Sequence, residues 1–207
     1  MVEFADVFET SAKWIAEIAA RPEPVAQGMS RWFDYCASAA PKKKALWSRL
    51  RKLDFEADAE RLSDWLQHTL TSEPPPKAIN GLWFGLFNPC DETRDGSSQV
   101  YLGGSKGFDP RSKSNEWVCQ LSYRPRGQYA NSEVLPEIYR RVKSPEDDGL
   151  MYLGEPFLSH GYLALVVSNW CRGPQRALLL GNVPKRAIVM GHDSGDFYRL
   201  AVLQAKS

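Results

Sequence analysis

Residues 73–87, Glu73-Pro74-Pro75-Pro76-Lys77-Ala78-Ile79-Asn80-Gly81-Leu82-Trp83-Phe84-Gly85-Leu86-Phe87, divide the chain into two kinds of pattern. Three consecutive prolines cannot continue a helix and favour extended polyproline geometry. The run from Ile79 to Phe87, aromatic and punctuated by glycine, then reads as a strand. Upstream, up to about residue 73, the apolar residues recur at helical spacing. Phe4, Val7, Phe8, Ala12, Ile15 and Ile18 form one stripe, which Arg21-Pro22-Glu23-Pro24 ends. A second helix starts at Pro24 and carries Trp32, Phe33 and Cys36. Pro41 opens a basic segment with Leu46, Trp47 and Leu50 on one side. From about Phe55, Leu62, Trp65, Leu66 and Leu70 make a core-facing face.

Downstream, Asp95-Gly96 signals a hairpin into a second strand through Val100-Tyr101-Leu102. Trp117 to Tyr123 alternates as a third strand would. Asn131 or Ser132 caps a helix with Val134, Leu135, Ile138, Tyr139 and Val142 on its apolar side. A central helix is expected from Glu155 or Pro156 to Cys171. Three strands follow, at 177–180, 187–190 and 197–203, the last two joined by His192-Asp193-Ser194-Gly195-Asp196. The order implies an α+β fold: a helical N-terminal region packed with a mostly antiparallel sheet and two further helices. The charge is even on both sides of the prolines, with 12 acids and 11 bases before residue 79. Tryptophans on both sides need covering, which favours one domain over 1–207, with 1–73 helical, 74–76 a connector and 77–207 α+β.

Composition narrows the class. The 207 residues are 43% hydrophobic and 25% charged, and 26 bases against 25 acids leave a formal net charge of +1. This is the make-up of a globular chain with a sizeable core, without the field that draws a whole surface to nucleic acid or anionic membrane. No stretch approaches the roughly 18 apolar residues of a membrane span. The N-terminus lacks the basic start and apolar run of a secretory signal. The four cysteines, Cys36, Cys90, Cys119 and Cys171, form no C-x-x-C pair, and their apolar neighbours suggest buried, reduced thiols. A cytoplasmic protein without structural disulfides is expected.

No group of residues reads as a catalytic constellation. In the His192 turn, His192 could act as a general base oriented by Asp193 or Asp196. Asp, Ser and Gly are also what a hairpin turn requires, and that reading takes precedence. Asp91 to Gly96 lacks the alternate-oxygen order of a calcium loop. His160, ahead of an apolar run, reads as a satisfied helix residue, and His68 pairs with Asp64 one turn earlier. Three histidines, none near another or a cysteine in sequence, argue against zinc. No Gly-x-Ser-x-Gly is present, and Gly103-Gly104-Ser105-Lys106-Gly107 lacks the end of a phosphate-binding loop. No cofactor is implied. Lys42-Lys43-Lys44 with Arg49, Arg51 and Lys52 could contact a nucleic acid, but Asp54, Glu56, Asp58 and Glu60 follow at once and offset it. Seven tryptophans are many for this length, and any exposed one would suit a protein partner.

These residues carry a resemblance. Asp95-Gly96, Val100-Tyr101-Leu102-Gly103-Gly104, Phe108-Asp109, Trp117, Tyr123-Arg124-Pro125-Arg126-Gly127-Gln128-Tyr129 and Ser132 through Leu135 to Ile138-Tyr139 form one set. With the ending Val189 to Phe197, the set is similar to domains that accompany bacterial polymorphic toxin systems as immunity proteins. It covers residues 79–203 and leaves the N-terminal helices unmatched. The resemblance implies a cytosolic, non-enzymatic protein that binds and blocks a co-encoded toxin. It transfers no binding residues, because such inhibitors vary their contact surfaces. Two other readings stay open: a small enzyme using His192 with Asp193 or Asp196, and a nucleic-acid adaptor using residues 42–52.

Overall fold

The computed structural model describes residues 4–87, 99–142, 150–192 and 195–205. Four helices precede the prolines: α1 (Phe4–Ala20), α2 (Val25–Ala39), α3 (Lys44–Leu50) and α4 (Phe55–Ser72). In α1, Val7, Ser11, Ile15 and Ile18 are buried along one stripe, as the 3.6-residue period demands. Asp54 caps α4, its carboxylate accepting from the Ala57 N–H at 3.1 Å. Leu62, Leu66 and Leu70 then face the core.

The strands are β1 (Gly81–Phe87), β2 (Gln99–Ser105), β3 (Tyr129–Asn131), β4 (Lys185–His192) and β5 (Tyr198–Gln204). They form one sheet in the order β3-β2-β1-β4-β5. The pair β1/β4 is parallel and the other pairs are antiparallel. Between β3 and β4 come α5 (Val134–Val142), the short α6 (Met151–Leu153), a π-helical turn at Gly154–Ser159, α7 (His160–Arg172) and α8 (Arg176–Leu180). The fold is α+β.

Alternation divides the sheet's two faces. Leu82, Phe84, Leu86, Val100, Leu102, Ile188 and Met190 join the helices in one hydrophobic cluster containing residues from both sides of Pro74–Pro76. The nearly all-apolar α7 runs through it, buried from His160 to Ser168. Trp83, Ala187 and Val189 point the other way, where Phe108, Trp117 and Val118 cover them. Arg199 fastens that cover. Its guanidinium donates to Asn115 Oδ1 at 2.8 Å and the Ser114 carbonyl at 2.9 Å, and lies 5.3 Å from the Phe108 ring centroid. Arg199→Ala is expected to cost about 1–2 kcal/mol and to speed proteolysis within residues 109–115. Unchanged urea midpoint and cleavage would show that the cover holds without it.

A buried carboxylate joins three helices. Asp58 on α4 accepts from Ser132 Oγ at 2.7 Å, the Glu133 N–H at 2.8 Å and the Tyr162 hydroxyl at 2.6 Å. Arg61 reaches it from the surface at 3.0 Å. Ser132 Oγ in turn accepts from the Leu135 N–H at 3.0 Å, so Asp58 and the expected cap jointly satisfy the start of α5. Arg186 on β4 is fully buried as well, donating to the carbonyls of Ile79 at 3.1 Å and Leu179 at 2.9 Å. Gly181 makes room for it at φ +58°, a left-handed conformation that favours glycine.

Two sequence expectations need correction. Trp117–Tyr123 is not a third strand: Glu116–Cys119 is a 3-10 turn, and only Tyr123 bridges to Gly104. The side chains at 117 and 121 alternate in order to lie on the sheet, not within it. Residues 177–180 are helical in α8, where Ala-Leu-Leu-Leu follows its helix propensity. The edge strand β3 replaces the first of these and passes unseen in the sequence, since it is three residues long. The Asp95-Gly96 turn lies outside the described residues.

Candidate functional site

The polar candidates come together around the end of β4. His192 is its last residue, paired with Leu86 of β1. Asp193 lies outside the described residues. Gly191, just before, is packed so closely that a Cβ there would sit 1.6 Å from the Asp196 carbonyl oxygen, so the turn tolerates no side chain at 191. Glu155, on the π-helical turn, meets His192, with Nε2 and Oε1 3.4 Å apart. Such turns recur at functional positions. Nothing in the sequence singles out Glu155, because the contact depends on how the turn packs against β4.

His160 opens α7 behind them, its ring centroid 6.4 Å from that of His192 and 5.5 Å from that of Tyr198. It was expected to be a satisfied helix residue. It is fully buried, yet among the described residues neither ring nitrogen has a hydrogen-bond partner. Burial, reinforced by His192, pushes its imidazole down to about 3. Burial likewise pushes the Tyr198 phenol up to about 12, with the charges of Asp196 and Glu155 adding to it. His160 is thus an internal neutral group, while His192 and Glu155 keep partial exposure, 14% and 27% of their side chains. Among the described residues no group of three or more His, Cys, Asp or Glu could hold a metal ion.

The remaining sequence candidates stand apart. His68 and Asp64 line a shallow cleft on α4 with Thr71. In the basic segment, Lys42, Lys44, Arg49 and Lys52 are exposed. Arg51 is engaged within the chain, bonded to Asp34 at 2.6 Å and stacked 5.5 Å from the Phe33 ring centroid. Asp91–Gly96 lies outside the described residues. Cys36 and Cys171 are buried thiols, but Cys119 is exposed, contrary to its apolar surroundings in sequence.

Cys119 belongs to a second place, on the outer face of the sheet. The pleat puts Phe87, Tyr101 and Tyr129 on that face, Tyr101 directly opposite Tyr129 with ring centroids 6.0 Å apart. Glycines of β1 and β2 form the floor. A Cβ at Gly85 would lie 2.1 Å from the Tyr101 ring, one at Gly103 2.6 Å from Leu121, and one at Gly81 2.5 Å from Trp117. The glycine-punctuated run therefore lets aromatic rings lie flat on the strands. Trp83 Nε1 donates to the Tyr101 hydroxyl at 2.7 Å and fixes the ring's position. The result is a groove of about 260 Å³ lined by Phe87, Tyr101, Val118, Cys119, Leu121, Arg124 and Tyr129. Tyr129 is 51% and Phe87 40% exposed, the largest values for big hydrophobic residues among those described. The rings that stay accessible are tyrosine and phenylalanine, where the sequence drew attention to tryptophan.

No family model, curated protein or solved structure matches this chain. No helix among the described residues is long and apolar enough to cross a membrane.

Proposed function

We propose that this protein is a non-enzymatic binding protein of the immunity type, which seats a co-encoded bacterial toxin on the outer face of its sheet and occludes it in the cytoplasm. The observation that carries this reading is the groove between Phe87 and Tyr129. Exposed aromatic rings on a rigid sheet, with an arginine beside them, are what protein interfaces use as anchors. Stable occlusion calls for about 800 Å² of surface per partner, so the groove would be the centre of a wider contact. The resemblance of residues 79–203 to immunity domains supports the same reading and supplies the class of partner.

Co-expression with the neighbouring open reading frames tests it. One stoichiometric partner, toxic alone and harmless in the complex, is the expected result. Tyr129→Ala should weaken that complex at least about tenfold while leaving the unfolding midpoint in place. Rescue that persists after binding is lost would overturn the occlusion reading. A second reading, acid–base chemistry by His192, draws on the 3.4 Å approach of Glu155. Full biological activity in His192→Ala would remove it.

A further inference from the structure

We propose that the segment seated in the groove is acidic and apolar, a carboxylate meeting Arg124 while a neighbouring aliphatic or aromatic side chain fits between Phe87 and Tyr129. This rests on the groove being a protein-binding site, and it adds the chemistry of the partner. Of the seven lining residues only one is charged, and it is a cation. Arg124 is exposed, and among the described residues its guanidinium has no hydrogen bond or ion pair. Arg31, Arg51, Arg61, Arg111 and Arg140 each hold a carboxylate within the chain, whereas Arg21, Arg49 and Arg126 are exposed like Arg124 but do not line the groove.

The surroundings strengthen what Arg124 can do. A planar guanidinium takes a carboxylate in a two-pronged, charge-assisted pair, more strongly where neighbouring rings exclude water. The same placement discriminates. A basic segment would bury its charge against Arg124 with no acid in the lining to answer it, and a purely apolar one would desolvate the guanidinium without return. Phe87, Leu121 and Tyr129 meanwhile supply apolar contact that polar acidic stretches lack.

The probe is a random linear peptide library panned in parallel on the native chain, Arg124→Glu and Tyr129→Ala, with the variants' unfolding midpoints measured alongside. The native chain is expected to enrich sequences in which Asp or Glu adjoins Leu, Phe or Trp. Those peptides should bind Arg124→Glu at least about tenfold more weakly and lose affinity as salt is raised. Tyr129→Ala should weaken them without removing the preference for acids. No enrichment, enrichment of basic or uncharged sequences, or equal binding by Arg124→Glu would overturn the proposal. The outcome is separable from the immunity reading. Toxin rescue without acidic selection removes only the partner chemistry, while acidic selection without rescue removes only the toxin.

Discussion

Replacing Asp58 with alanine is expected to lower folding stability by about 3–5 kcal/mol, the cost of taking one partner out of a buried charged network. The carboxylate has no exposed surface and accepts from three directions at once: α4 holds it, Ser132 and the Glu133 N–H belong to the start of α5, and Tyr162 belongs to α7. Alanine would leave a tyrosine hydroxyl and a backbone N–H enclosed without an acceptor. Burial, with the Asp58 charge next in weight, already drives the Tyr162 phenol well above its ordinary range, so the tyrosine stays a neutral donor. Tyr162→Phe removes one donor while others remain, and should cost about 1–2 kcal/mol. In a double-mutant cycle the two changes should be strongly non-additive. Urea unfolding of the four proteins measures this, and a loss near that of a surface substitution for Asp58→Ala would show that the helices need no such tie.

Stability should also fall on acidification, through His160. In the unfolded chain its imidazole titrates near 6.5, whereas burial holds it near 3 in the folded protein. Above 6.5 both states are neutral and the group contributes nothing to the pH dependence. Below it the unfolded chain binds a proton that the folded one refuses, so stability is lost as pH falls from about 6.5 toward 3, at up to about 1.4 kcal/mol per pH unit. Between pH 7 and pH 5 the loss comes to about 2 kcal/mol. His192, Glu155, Asp196 and Tyr198 surround the same spot, so the comparison must be internal. His160→Leu keeps similar bulk and cannot titrate; its stability should drop by about 2 kcal/mol less over that interval. It should lose little at pH 7, because among the described residues neither ring nitrogen has a hydrogen bond to give up. Equal drops in both proteins would place the acid sensitivity elsewhere.

How much of this could be read from the residues depends on what each signal needs. The stripe Leu62, Leu66 and Leu70 and the run Gly81–Phe87 carry their own periods, and both elements form where those periods place them. Alternation at Trp117 to Tyr123 shows a preferred face but says nothing of a partner strand; here the face is laid on Gly81 and Gly103. The four residues Ala177–Leu180 are too few for either period to declare itself. The groove was hidden for a related reason. Aromatic residues default to the core, and only the short β3, at the end of the sheet, leaves Tyr129 outside it. Glu155 beside His192, and the buried His160 behind, are products of packing between distant segments, which no local pattern encodes.

The parallel pairing of β1 with β4 has a consequence for how the chain is made. Gly81 waits for Ala187, on the order of a hundred residues later, before the centre of the sheet can close. On the ribosome, β1, β2 and β3 emerge early and leave one apolar border of β1 bare until the final hairpin, β4 with β5, arrives. A nascent chain interrupted between α5 and β4 would present the edge of Leu82, Phe84 and Leu86 to its neighbours. The β4–β5 hairpin therefore does more than finish the sheet: it ends the interval in which the newborn protein is open to aggregation.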